Sequence, residues 1–166
     1  RYLEEHGIGY QAGDVKVPIV PAAILYDLRM ITNKIRPGAD DGYAACVNAT
    51  AEPVAEGTVG AGTGATVGKV MGYDRGVKGG IGTSSVHLGD GLMVGAITAV
   101  NAIGGVYDHR TGGVVAGPRD PDSGLMQDSL ALMTSPDFKK SVIDQGTNTT
   151  IGVVATNARL TKEQAN

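Results

Sequence analysis

The sequence has 166 residues, 42% hydrophobic and 19% charged, with 14 basic against 17 acidic residues for a net charge of −3. That length suits one globular domain, and scattered charge of this sign gives no reason to propose nucleic acid or an anionic membrane as a partner. The longest apolar stretch, Leu92 to Val106, is broken by Gly95, Thr98, Asn101 and the Gly104–Gly105 pair, so it does not read as a membrane span.

In chain order, Arg1 to His6 reads as the last turns of a helix, with Gly7 as its left-handed cap. Lys16 to Leu28 reads as a strand whose first half, holding Pro18 and Pro21, is an edge or irregular segment. Gly38 to Thr50 reads as a helix with Ala44, Ala45 and Val47 facing inward. Glu56 to Gly68 is a glycine-rich loop. Lys78 to Leu88 and Gly91 to Ile103 are small and β-branched over most of their length. They read as two strands joined by the tight turn Gly89-Asp90-Gly91. Gly112 to Ser123 is a loop. Asp128 to Gln145 holds one or two helical turns, interrupted at Ser135–Pro136. Thr150 to Thr156 reads as a buried strand. Thr161-Lys-Glu-Gln164 is a capping box that should open a helix. Both ends therefore read as cut inside helices of a domain that continues on either side. Strands outnumber helices, and the helices stand at the ends, so the fold class expected is an α+β layered sandwich.

Twenty-six glycines, about twice the usual share of ~7%, suit close backbone packing and sites where main-chain N–H groups face a ligand. The single cysteine, Cys46, cannot form an internal disulfide and fits a reducing compartment; on a helix it reads as packing rather than nucleophile. His6, His87 and His109 are scattered and suggest neither a metal cluster nor a Ser–His pair.

The segment Gly57 to Lys69 tempts a phosphate-loop reading. It fails on spacing: position 63 is Thr where the pattern needs Gly, and Val70 follows Lys69 where Ser or Thr is needed. Two readings remain. One is a tight glycine turn; the other is a backbone wall beside a small-ligand pocket with Lys69 aimed inward, the basis of a non-catalytic ligand-binding or nucleotide-binding alternative. Asn101, late in an apolar run, is either a satisfied amide capping a strand end or an oxyanion donor, since an unpaired buried amide costs roughly 1–3 kcal/mol. Tyr26 ends an apolar stretch, where a core tyrosine is the default and a buried phenol needs a partner.

From Gly146 to Thr156 a polar cluster runs directly into an apolar strand. It is either a loop entering a strand or a processing site. A Thr at the mouth of a strand can attack the carbonyl before it, here that of Asn148. An N-to-O acyl shift and hydrolysis then release an amino terminus on Thr149. Such an α-amino group titrates near pKa 7.7–8.0 and can serve as general base for its own hydroxyl.

Five ordered segments carry a family resemblance: Pro21-Ala-Ala-Ile-Leu-Tyr-Asp27, Gly60-Ala-Gly-Thr-Gly-Ala-Thr66, Gly79-Gly-Ile-Gly-Thr-Ser-Ser85, Ala99-Val-Asn-Ala102, and Asn148-Thr-Thr-Ile151 with Val153-Val-Ala-Thr156. Over nearly the whole chain they resemble the DmpA-type aminopeptidases, which include L-aminopeptidase/D-amidase-esterases, β-aminopeptidases and nylon-oligomer hydrolases. The resemblance implies a self-cleaving N-terminal-nucleophile-like hydrolase with an αββα-type sandwich. Residues 1–148 would end the α chain and 149–166 would start the β chain. It implies Thr149 as nucleophile, Asn148 as the residue left at the α-chain end, and Asn101 and Tyr26 as the active-site asparagine and tyrosine. Lys69 is similar to a lysine of the nylon-hydrolase branch, and Tyr26 and Lys69 would shape orientation or proton traffic. The family pattern also places acidic or hydroxyl residues downstream, in a segment this chain lacks. A small peptide or amide substrate, no metal or organic cofactor, cytoplasmic location and a homo-oligomer, a tetramer of αβ units, are further implied.

Overall fold

A computed structural model describes residues 1–30, 32–136, 138 and 147–165. The chain divides into two compact units, one of residues 1–24 with 32–53 and one of residues 25–31 with 54–166.

The first unit holds helix α1 (Tyr2–Glu5), strands β1 (Tyr10–Ala12) and β2 (Val15–Val17), and helix α2 (Ala39–Val47). The two strands pair as an antiparallel hairpin whose turn contains Gly13 at φ 61°. Gly7 caps α1 in the left-handed region, at φ 61°. The strand expected over 16–28 stops at Val17. Pro18 and Pro21 lack the N–H groups that a ladder needs, and residues 18–27 carry no regular structure. Helix α2 lies within the expected span, but Ala44, Ala45 and Val47 are exposed, Val47 by 57%. Tyr43 does the packing instead. Its ring lies 3.9 Å below the Arg1 guanidinium, and its hydroxyl donates to Glu5 Oε2 at 2.6 Å. Cys46 is exposed too, so it is not a packing residue in this unit.

The second unit is built on an antiparallel sheet in the order β5 (Gly80–Gly89), β6 (Leu92–Asn101), β9 (Thr149–Thr156). The turn between β5 and β6 needs three successive left-handed residues: Gly89 at φ 94°, Asp90 at φ 48° and Gly91 at φ 76°. Glycine adopts this region without strain, and Asp tolerates it better than most side chains. Two short ladders flank the sheet: β3 (Thr66–Val67) with β4 (Val77–Lys78), and β7 (Val106–Tyr107) with β8 (Val114–Ala116). The last of these lies inside the segment expected to be a loop; it forms because Val114 and Val115 supply β-branched residues next to a ready partner. Helix α3 (Ser129–Met133) is capped by Asp128, whose carboxylate accepts from the N–H groups of Leu130 and Ala131. The further helical turn expected before Gln145 falls on positions 137 and 139–146, outside the described residues. Helix α4 (Lys162–Ala165) opens on the expected capping box: Thr161 N donates to Gln164 Oε1 at 2.9 Å, and Gln164 N donates to Thr161 Oγ1 at 3.3 Å. Mixed helices and antiparallel strands make this an α+β chain.

In the second unit, burial departs from the sequence reading in two places. The glycine-rich segment supplies the core: Gly64 through Val70 are all buried, with Val67 and Val70 fully so. Strand β9, expected to be buried, is exposed over most of its length; Val154 is 72% exposed. It lies at the edge of its sheet, paired among the described residues by β6 alone.

Candidate active site

The end of β6 brings the candidate residues together. In the β6–β9 ladder Asn101 stands directly opposite Thr149, and Val100 opposite Thr150. Residues paired in this way project to the same side of a sheet, and neighbours along a strand alternate. Asn101 and Thr149 therefore share one face, and Thr150 belongs to the other. Asn101 is completely buried, Thr149 half-buried and Thr150 exposed.

The Asn101 side chain is saturated with partners. Its Oδ1 accepts from Lys69 Nζ at 2.8 Å, from Thr66 N at 3.0 Å and from Thr66 Oγ1 at 3.3 Å. Its Nδ2 donates to the carbonyl of Tyr26 at 3.0 Å and to that of Thr147 at 3.4 Å. Donors surround one end of the amide and carbonyls the other, which fixes its orientation. The Thr147 carbonyl belongs to the residue just before Asn148, so the amide NH2 reaches the chain one peptide away from the Asn148–Thr149 bond.

Lys69 is 3% exposed, and its ammonium also donates to the Asn101 carbonyl at 3.4 Å. Burial pushes its pKa down to about 8, because a low-dielectric setting disfavours the charged form. Its Nζ lies 5.8 Å from the centre of the Tyr73 ring, near the outer limit of a cation–π contact. Among the described residues no carboxylate pairs with it. Tyr26 contributes its main-chain carbonyl; its side chain is half-buried and no hydrogen bond of its phenol joins the cluster.

Glycine makes these approaches feasible. A Cβ on Gly79 would meet the Val100 carbonyl oxygen, Val67 Cγ1 at 3.2 Å and Thr66 N at 3.3 Å. The glycine-rich segment is sewn to its surroundings by Gly68 N donating to Gly104 O, Lys69 N to Ile103 O and Gly79 N to Ala65 O, each at 2.7–2.8 Å. The N–H groups of Gly62, Thr63, Ala65, Thr66, Gly68 and Lys69 all donate inside the protein. They are not free to cradle a phosphate, which weighs against the nucleotide-binding alternative.

The sequence shows Asn101, Lys69 and Thr149 far apart; the fold sets Lys69 against the Asn101 amide and makes Thr149 the ladder partner of Asn101. Sequence reasoning missed Thr66, although the motif ending at that residue was visible three positions before Lys69. It also missed Tyr73, whose hydroxyl is buried without a partner among the described residues. No group of three or more His, Cys, Asp or Glu side chains that could hold a metal occurs among the described residues. A separate open cavity of about 410 Å³, lined by Gly104, Gly105, Tyr107, Leu130 and Met133 among others, touches none of the four candidates.

Comparison with known proteins places this chain in a family. The model for peptidase family S58 matches residues 1–166. An uncharacterized aminopeptidase of Mycobacterium bovis is 40% identical over 168 residues, covering 96% of this chain and 45% of the relative. Its counterpart in Mycobacterium leprae is 40% identical over 167 residues, covering 96% and 44%. A 6-aminohexanoate-oligomer endohydrolase of a Kocuria species is 30% identical over 164 residues, covering 95% and 44%. The chain thus spans less than half the length of these relatives.

Proposed function

The chain belongs to peptidase family S58, and on that premise we propose that it carries the processing site of a self-cleaving amide hydrolase, with Thr149 as nucleophile. The hydroxyl of Thr149 attacks the Asn148 carbonyl. The peptide C–N bond breaks as the acyl group moves to oxygen, and water hydrolyses the resulting ester. Asn148 keeps a carboxylate, and Thr149 gains a free α-amino group. That amine then serves as base for the same hydroxyl, which attacks a small peptide or amide substrate through an acyl-enzyme. Asn101 donates to the oxyanion in both steps, giving up its long 3.4 Å bond to the Thr147 carbonyl to do so; one such donor is worth roughly 3–4 kcal/mol in known cases.

The observation that carries this reading is the register. Thr149 stands opposite the fully buried Asn101, whose NH2 contacts the chain one peptide before the bond to be cut. The same register favours Thr149 over Thr150, which lies on the opposite face. The substrate class rests on the relatives, which are named for aminopeptidase and oligomer-endohydrolase activity. The αββα sandwich, with a second layer over the exposed faces of the β5–β6–β9 sheet, belongs to the same proposal, as does assembly into oligomers of αβ units.

The test is N-terminal sequencing of the fragments of the full-length protein. The smaller chain should begin Thr-Thr-Ile-Gly. Thr149→Ala should leave a single uncut chain, whereas Thr150→Ala should still be cut. A new terminus at any other position rejects Thr149 as nucleophile.

A further inference from the structure

The oxygen side of the Asn101 amide is crowded with donors that the reaction scheme leaves without a role. Thr66 contributes two, its backbone N–H at 3.0 Å and its hydroxyl at 3.3 Å, and Lys69 contributes a charged one at 2.8 Å. We infer that Thr66 is a positioning residue of the processing site which, together with Lys69, acts through Asn101, holding and polarising its amide so that the NH2 faces the cleavage junction. This rests on the reading of Asn148–Thr149 as the processed bond.

Turning the amide over would set its NH2 against an ammonium and two further donors, and its oxygen against the Tyr26 and Thr147 carbonyls. The Thr66 hydroxyl could turn and accept, but the contacts with the ammonium, the Thr66 N–H and the two carbonyls would all be repulsive, in a site where neither Asn101 nor Thr66 has any exposure to water. Thr66 is itself held fast. It pairs with Lys78 in the β3–β4 ladder, and the next residue along, Gly79, donates to the Ala65 carbonyl at 2.8 Å. Its N–H is therefore aimed by main-chain structure, and its β-branched side chain has few rotamers to choose from.

Lys69 adds charge. Its ammonium meets Asn101, the face of Tyr73 and no carboxylate among the described residues. Arg29, the other cation near that ring, has its guanidinium carbon 5.3 Å from the ring centre. The field of Lys69 is thus spent on the Asn101 oxygen. Charge placed there draws density from the amide nitrogen and strengthens its N–H donors. A donor strengthened in this way gains most when the carbonyl it faces becomes an oxyanion. Lys69 then assists the reaction through Asn101, not by contact with Thr149.

The experiment uses the full-length protein. The self-cleavage rate is followed by mass, and kcat and KM are measured for the cleaved enzyme on one small amide substrate. Thr66→Val keeps the shape and the backbone N–H and removes the hydroxyl. It should slow cleavage and lower kcat by about threefold to tenfold, the range for one lost hydrogen bond, with KM unchanged. Thr66→Ser should restore both. In an Asn101→Ala background, neither Thr66→Val nor Lys69→Met should lower the residual rate further. Full additivity in that background overturns the inference, because both residues would then act on Thr149 directly. A Thr66→Val variant with normal kcat and only a lower melting temperature overturns it too. Thr66→Val and Thr66→Ser decide the matter even where Asn101→Ala fails to fold. If the full-length protein is not cut before Thr149, the processing reading fails and takes this inference with it; the N-terminal sequence tells that outcome from the others.

Discussion

The segment Gly57–Lys69 and strand β9 look opposite in sequence and behave opposite to their looks. The first is almost all glycine, threonine and alanine, the composition of a surface loop, yet its second half is the most deeply buried stretch among the described residues. The second is Thr-Thr-Ile-Gly-Val-Val-Ala-Thr, the composition of a core strand, yet only Thr149 and Ile151 are even half-buried. Hydrophobicity states what a residue gains from burial; it does not say what will lie against it. Glycine lets backbone reach backbone, so a stretch poor in large side chains can still be the place where most atoms meet. Among the described residues strand β9 has one ladder partner, and its valines remain in contact with solvent.

This contrast can be broken by substitution. Gly68 has φ 69°, and a Cβ there would meet the backbone of Gly117 and Pro118, with Pro118 N at 2.6 Å. Gly68→Ala combines left-handed strain with overpacking and should cost about 3 kcal/mol or more, read as a loss in the denaturation midpoint of the full-length protein. A cost below about 1 kcal/mol would mean that the segment behaves as the loop its composition suggests.

The next effect is smaller per pH unit and sharpens the electrostatic side of the contrast. Burial lowers the Lys69 pKa from 10.5 to about 8. Between those values the unfolded chain binds more protons than the folded one. Stability should therefore rise with pH from about 8 to 10.5, by at most about 1.4 kcal/mol per pH unit. Lys69→Met should flatten that rise. Melting curves of both proteins across this range decide it, and an unchanged slope in the variant assigns the effect to another group.

The smallest effect belongs to the strand. Val154→Thr on β9 alters a side chain that is 72% exposed in this chain and should change stability by less than about 0.5 kcal/mol if the face stays open. In the full-length protein, the proposed second layer of the sandwich would raise that cost to between 1 and 3 kcal/mol, roughly the range for a newly buried unpaired hydroxyl. Measuring the substitution there tests whether the face is covered.

Much of the local structure was legible in the sequence because it depends on neighbours in the chain. The tight turn at Gly89-Asp90-Gly91, the β5–β6 hairpin, the capping box at Thr161 and the helix within 38–50 all rest on local geometry. The failures have a common origin. Pro18 and Pro21 ended a strand that the apolar pattern extended, and helix α2 packs through Tyr43 rather than through its alanines.

For the site, the sequence by itself determined the chemistry available: a threonine entering a strand, an amide late in an apolar run, a lysine after a glycine-rich stretch, and the ordered motifs that mark the family. Only the tertiary structure decided how those groups meet. That Asn101 pairs with Thr149 and not Thr150 is a matter of ladder register, and a shift of one residue would turn the threonine to the other face. That Lys69 and Thr66 converge on one amide oxygen, 32 and 35 residues away along the chain, depends on close backbone approach around Gly68 and Gly79. Register and close approach are properties of pairs of segments, and no single segment carries them.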